Sequence, residues 1–574
     1  MKKYEMIEIQ TNIEKIYKEV FGIPDIAEDT NFFEIGGNSI LAAKVVQKIK
    51  TCLGINLAIQ DIFEYVTVNL LISYIAKIYN EKTKMEEERY CNEETKEAFE
   101  LTEIQKAYLI GRQGITGEGK VASHYYVELE CETVDILRLE EAWNVVVVRQ
   151  PALRTIIDVK AMKQKILTRV QDYKIELLDF EEDLKGFYEL RRDMEDQVLD
   201  ISRWPVFDIR VSKLKDKFRI HVSMDNMILD GTAICAVLDE WNKLYKGEVL
   251  KSDIGKKTFK DYVNYLKTLE LSSEYSMAQE YWNKKIVNMP PRPELPLLNK
   301  NVNGEFYRLS TVLQKEKWNV LKMLSAKYGI TPSNVLLTSF SEVLYRWGKE
   351  NKFTINLTIN KKALLDSGYA KVLGEFTDTI LVEVNAGKKR NFIEKCKSIQ
   401  NELLNNLKYS SYNGVAVQRD WTKEHGFLMG TAFPIVFTSL LGTADLLDMP
   451  GKISYGLTQT PQVWLDYQVS EIAGKLYLNW DVLRGKYDDG VIAQMFSCYL
   501  DSLEKMTDRR FWETPQKNHI GNFQSSLPKE DRDATLIKEE SLYKGFERSY
   551  LKNPDKIAII TPKGQYTYCE CYQK

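Results

Sequence analysis

The run EKTKMEEERYCNEETKEA, which begins at residue 81, limits most strongly what this chain can become. Its charges are mixed in sign, and its few apolar residues fall on neither a helical nor a strand period, so it cannot line a core. Residues 81–97 read as a charged linker, and what lies on either side must fold around separate cores. Before it, Ile9, Ile13, Ile16 and Val20 recur at i, i+4, i+7 and i+11, one apolar face of a helix. Ile40, Leu41, Val45 and Ile49 form a second such face, and DIFEYVTVNLLISYIAKIY supplies a third helix and shorter elements. Residues 1–80 therefore read as a small all-α four-helix bundle.

Behind the linker the pattern changes. FRIHVSM alternates Phe218, Ile220, Val222 and Met224, and FTINLTIN, TILVEV, PIVFTSLL and KLYLNWDV are equally strand-like. Between them stand amphipathic helices such as TPSNVLLTSFSEVLYRW, opened by a capping Thr331 or Ser333 with Pro332 in the first turn. Residues 98–525 are thus an α/β region, too long for one core and expected to form two lobes. With 44% apolar and 11% aromatic residues, the 574-residue chain can fill such cores. Residues 526–574 read as a helix, a proline turn and a hairpin, the start of a domain that is not completed.

Charge and cysteine usage exclude several classes. A net charge of −3 leaves no basic footprint for nucleic acid. The start MKKYEMIEIQTNIEK is charged where a signal peptide is apolar, and no apolar run approaches the roughly 18 residues that span a bilayer. No membrane partner and a cytoplasmic location are expected. Eight cysteines without a C-x-x-C pair suggest neither a disulfide framework nor a metal site.

Two stretches invite a chemical reading. In NFFEIGGNSILAAKVV, Ser39 stands behind two glycines where a helical pattern begins, but Leu41 replaces the second glycine of a nucleophile elbow. The chain's four histidines, His124, His221, His425 and His519, all lie beyond residue 100, so Ser39 has no local base. On the local pattern alone, Ser39 or Asn38 caps the helix. In DNMILDG, Asp225 and Asp230 follow a strand, where paired acids commonly form turns; no third ligand accompanies them, which argues against a metal.

These stretches carry a family resemblance. DTNFFEIGGNSI is similar to the D-x-F-F-x-x-G-G-x-S-[LI] pattern of nonribosomal peptide synthetase carrier (thiolation) domains, with Asn38 where His or Asp is usual. The resemblance implies that Ser39 is the attachment point of 4′-phosphopantetheine, placed there by a phosphopantetheinyl transferase. A helix N-terminus suits the incoming phosphate. The larger region resembles the heterocyclisation branch of the condensation-domain family, motif after motif: FELTEIQKAYLIGR, RQPALRT, MPPRPELPLL, GEFTDTILVEV, PIVFTSLLG and LTQTPQVWLDYQV. That implies a two-lobed, chloramphenicol-acetyltransferase-like fold. DNMILDG matches the branch's D-x-x-x-x-D-x-x-S, with Ala233 in place of its serine, Glu375 in place of an aspartate, and Asn226 where ordinary condensation domains have their second histidine.

By that resemblance Asp466 and Thr438 carry the chemistry, whereas Asp225, Asn226, Asp230 and Gln459 belong to structural or active-site motifs. Asp230 is expected to bind a basic residue of the other lobe, with Lys361 of the Asn360-Lys361 pair as the candidate. The implied reaction condenses a carrier-bound acyl or aryl thioester with a Cys, Ser or Thr thioester on a downstream carrier, then cyclodehydrates the product to a thiazoline or oxazoline, as in siderophore-type synthesis. A separate enzyme adenylating the acyl or aryl acid would load the starter. Residues 526–574 resemble the opening of an adenylation domain. Two alternatives stay open: amide formation without cyclisation, and a noncatalytic carrier and interaction platform.

Overall fold

The computed structural model describes residues 3–27, 29–35, 39–53, 57, 59–78, 98–114, 120–248, 250, 257–298, 302–348, 350–387, 390–427, 431–442, 450–515, 556–561, 564–568 and 571. It divides into two compact units, Met1–Gln516 and Lys517–Lys574. The linker run and the helix expected after residue 526 lie outside the described residues.

Four helices build the first core: α1 (Lys3–Phe21), α2 (Ser39–Leu53), α3 (Ile59–Glu64) and α4 (68–78). Ile9, Ile13 and Ile16 of α1 and Val45 and Ile49 of α2 are buried at the spacing read from the sequence, around Phe32. Phe32 meets Tyr17, Phe21 and Phe63 edge-on or tilted, with ring centroids 5.5 to 6.4 Å apart. Such aromatic packing lets a bundle this small close.

The strands that follow are β1 (Phe99–Glu100), β2 (His124–Cys131), β3 (Thr155–Asp158), β4 (Lys163–Ile166), β5 (Glu176–Asp179), β6 (Phe207–Leu214), β7 (Lys217–Asp225), β8 (Phe306–Leu313), β9 (Lys352–Asn360), β10 (Thr377–Asn385), β11 (Ile435–Ser439), β12 (Lys452–Gln459), β13 (Leu465–Ile472) and β14 (Lys475–Leu483). One lobe holds the sheet β12-β2-β7-β6-β5, and the other holds β10-β9-β11-β13-β14-β8. The helices that matter for the site are α5 (Glu103–Arg112), α6 (Ile136–Arg149), α7 (Leu184–Glu195) and α8 (Gly231–Lys246). Each lobe has its own apolar core, one around Trp143 and Trp241, the other around Trp318, Phe340 and Trp480.

Strand β12 stitches the lobes together. The chain leaves β11 in the second sheet, pairs antiparallel with β2 in the first, from Lys452↔Glu130 to Gln459↔His124, and returns as β13. Along β7, Arg219, His221, Ser223 and Asp225 are buried as well as the alternating Ile220, Val222 and Met224. Much of the polar face pairs internally: His221 meets Ser212 Oγ at 2.7 Å and Tyr126 Oη at 2.7 Å, and burial pushes its imidazole down to about 4. Thr331, rather than Ser333, caps the proline-led helix Pro332–Trp347 by accepting from the N–H of Asn334. The unit Lys517–Lys574 contributes the hairpin β15 (Ile557–Thr561) and β16 (Gly564–Thr567).

Candidate functional site

A cavity of about 630 Å³ is lined by residues of both lobes. Its wall is formed by Tyr108 of α5, Asn226 and Asp230 at the end of β7 and the start of α8, and Asn356, Thr438, Asp466 and Gln468 of the second sheet. Most of that wall is neutral.

Asp225 turns away from the cavity. It ends β7 fully buried, pairs with the Arg112 guanidinium at the end of α5, and accepts from the Met227 N–H at 3.0 Å. Burial pushes its carboxyl up against the pull of Arg112. Asn226 does face the cavity, and its buried Oδ1 has no hydrogen-bond partner among the described residues.

Asp230 is the N-cap of α8, accepting from the Ala233 N–H at 2.8 Å and from Thr232 Oγ1 at 2.6 Å. From the other lobe come the Phe376 N–H at 3.1 Å and Asn360 Nδ2 at 3.3 Å, while the Asp230 N–H donates to Gly374 O at 3.1 Å. The expected Lys361 partner is therefore corrected. Lys361 Nζ lies 3.1 Å from Asp378 and also donates to Ser410 O. Asn360 makes the contact instead, because it ends β9 on the side of Asp230 and Lys361 starts the following 3-10 turn. Beside this junction the Glu375 carboxyl is buried and held well above the usual carboxylate range, by burial first and by Asp230 second.

Asp466 and Thr438, which the family resemblance singled out, come together. They sit on adjacent parallel strands, where Val436 pairs with Asp466 and Thr438 with Gln468. Thr438 Oγ1 donates to Asp466 Oδ1 at 3.0 Å, and Gln468 Nε2 donates to Oδ2 at 2.6 Å. Burial pushes the Asp466 carboxyl up to about 7; the Gln468 hydrogen bond pulls the other way, and neighbouring Asp481 adds to the rise. The group is thus poised to exchange a proton near neutrality. Gln459 is placed elsewhere: it points into the first lobe and donates to Glu195 O at 2.7 Å and Asp196 Oδ1 at 3.2 Å. It braces the end of α7.

Sequence reading passed over Arg112, Gln468, Arg308 and Asp481. Gln468 was detectable, being two residues after Asp466 on a strand and so on the same face. The others pair across 113 and 173 residues, a separation that leaves no local signal.

Ser39 opens α2, and that first turn carries no acidic residue. A phosphate-bearing group suits such a helix start. Gly36, Gly37 and Asn38 lie outside the described residues.

Residues 95–510 match the condensation-domain family and residues 12–75 the phosphopantetheine attachment site. Bacitracin synthase 1 of Bacillus licheniformis is 29% identical over 99% of this chain and 11% of its own length. Phenyloxazoline synthase MbtB of Mycobacterium sp. (strain MCS) is 27% identical over 83% of this chain and 41% of its own. The chain therefore spans less than half of either relative. Among solved structures, the EpoB NRPS cyclization-docking bidomain from Sorangium cellulosum superposes with a TM-score of 0.66 at 28% identity, over 72% of this chain and 84% of that one. No helix among the described residues is long and apolar enough to cross a membrane.

Proposed function

Because this chain belongs to the condensation-domain family of nonribosomal peptide synthetases, with a phosphopantetheine attachment domain ahead of it, we propose that it joins an acyl thioester to a Cys, Ser or Thr thioester on a downstream carrier and then closes the product to a thiazoline or oxazoline. 4′-Phosphopantetheine on Ser39 would hold the acyl group as an activated thioester. A phosphopantetheinyl transferase and a separate acyl- or aryl-adenylating enzyme are the partners this requires. The likeness to a phenyloxazoline synthase, MbtB, and to the EpoB cyclization domain supports ring formation over amide formation alone.

The observation that carries the proposal is Asp466: a buried carboxyl on the cavity wall, with two hydrogen-bond donors and a pKa pushed up to about 7. Amide formation starts from an activated carbonyl, so holding the amine against it supplies much of the rate. Ring closure needs more. The acceptor's thiol or hydroxyl must lose its proton as it adds to the amide carbonyl carbon, and the former carbonyl oxygen must gain protons to leave as water. A carboxyl near its midpoint can take the first proton and return it to the leaving oxygen, and the amide N–H, lost as the C=N bond forms, supplies the second. Thr438 keeps one carboxyl oxygen oriented by donating to it.

The test is Asp466→Asn, which keeps the shape and removes the proton exchange. With acyl-loaded Ser39 and a cysteinyl-loaded downstream carrier, the variant should leave linear amide on the downstream carrier, and ring formation should fall by about 10² to 10⁴. Mass spectrometry separates the products, since the ring is one water lighter. Ring product at the wild-type rate would sink the proposal. The loading step has its own control: coenzyme A and a broad-specificity transferase should add mass to wild type and none to Ser39→Ala.

A further inference from the structure

Asp466 is flanked in its sheet by another carboxylate. Register places Asp466 opposite Asp481 and Asp481 opposite Arg308, so the three side chains stand in a row across β13, β14 and β8. Two acids side by side repel, and the arrangement is relieved from the far end. Arg308 Nε and Nη2 grip the two Asp481 oxygens, each at 2.6 Å. Asp481 also accepts from the Thr458 N–H of β12 at 3.1 Å.

The same guanidinium has one more partner. Arg308 Nη2 reaches Gln468 Oε1 at 3.3 Å, where Thr458 Oγ1 also donates at 3.2 Å. An amide has one accepting end and one donating end, and a guanidinium has only donors. With Arg308 at one end of the Gln468 amide, that end must be the oxygen. The NH₂ end is left facing Asp466 Oδ2. Thr458 could rotate its hydroxyl and accept; Arg308 cannot.

We propose that the Arg308–Asp481 pair is a positioning device for the reacting acid: it locks the Gln468 amide in the one orientation that donates to Asp466, and so sets the protonation of that carboxyl without touching substrate. Its catalytic consequence rests on the role proposed above for Asp466, whereas its structural claim does not. The charged and titratable groups facing Asp466 among the described residues are Asp481 from β14, Arg308 from β8 and Tyr108 from α5. Gln468 and Arg308 lower the Asp466 pKa, while burial and Asp481 raise it.

The experiment is a double-mutant cycle in the full chain. Removing one member of the pair would strand a buried charge, so the pair is replaced as a unit, Arg308→Met with Asp481→Leu, in the wild-type background and in Gln468→Leu. In each background the folded-state Asp466 midpoint is read from the pH at which the growing melting-temperature difference from the corresponding Asp466→Asn protein levels off, between pH 4 and 9. Direct charge effects of the pair are the same in both backgrounds and cancel in the comparison. The expected result is that pair replacement moves the midpoint upward by about one pH unit more when Gln468 is present than when it is Leu. Equal shifts in the two backgrounds would overturn the relay and reduce the pair to a brace for β12. Should the pair replacement fail to fold, Arg308→Lys keeps a cation beside Asp481 but loses the fork that reaches Gln468, and the same background dependence decides. Melting reports the midpoint whether or not Asp466 performs ring closure. The pH profile of ring formation is the second readout: a profile that ignores a shifted midpoint would count against the role of Asp466 and leave the relay standing.

Discussion

The β7–α8 turn and strand β13 both place aspartates in a buried setting, yet they leave those acids in different states. At the turn, every carboxyl is fully engaged. Asp225 has a guanidinium and a backbone N–H, and Asp230 has four donors drawn from both lobes. On β13, Asp466 has two donors and no cation of its own, because the nearest guanidinium is committed to Asp481. The first arrangement spends its acids on holding the lobes in register. The second leaves an acid close to its midpoint on the wall of a cavity. What separates the two kinds of acid here is the number and charge of their partners, since both are buried.

The comparison breaks most visibly at Asp225. Asp225→Ala leaves the buried Arg112 without its counter-charge, which typically costs about 3 to 5 kcal/mol. The side chain of Arg112 is only 7% exposed, so solvent offers little relief. Thermal melting should show a large drop. A variant that melts like wild type but forms no amide would move Asp225 from the structural group to the chemical one.

At Asp466 the sign reverses. Its folded-state carboxyl sits near 7 and its unfolded value near 3.8, so between those values the folded protein keeps a proton that the unfolded chain has lost. The stability held below pH 3.8 is lost as pH rises through 7. Asp466→Asn has no such loss. It should be nearly neutral to stability at pH 4 and increasingly stabilising up to pH 8, with a ceiling of about 4 kcal/mol at 1.36 kcal/mol per unit. Melting curves of the two proteins across that range should diverge upward for the variant. Parallel curves would place Asp466 among the ordinary, ionised acids.

Much of this contrast could be read from residues, and the rest fails for a definite reason. Helical spacing located the first core, and strand alternation found β7, β9, β11 and β14. Motif resemblance picked out Asp466 and Thr438, which the sheet brings to 3.0 Å. The partners that decide how each acid behaves were not legible. Arg112, Arg308 and Asp481 act across sequence gaps bridged only by the tertiary fold. Neighbouring residues were also hard to tell apart: Thr458 meets Arg308 while Gln459 meets Glu195, and Asn360 meets Asp230 while Lys361 meets Asp378. Adjacent strand residues face opposite ways, so a register uncertain by one exchanges the two roles.

The smallest effect tests that last distinction. Asp230→Asn keeps one oxygen, which can still accept from Thr232 and Ala233, but it turns an NH₂ toward the Phe376 N–H and Asn360 Nδ2. Donors then face donors, at a cost of about 1 to 3 kcal/mol for the groups left unpaired. Lys361→Met has a separate cost, because it frees Asp378 and shares no side-chain partner with Asp230. If Asn360 and the Phe376 backbone hold Asp230, the two substitutions should add to within about 0.5 kcal/mol in the double variant. A lysine that neutralised Asp230 would make them strongly non-additive, since Asp230→Asn would already have removed its partner. Denaturant melts of the four proteins decide it. Additivity assigns the lobe junction to hydrogen bonds, and coupling restores the ion pair that the Asn360-Lys361 motif first suggested.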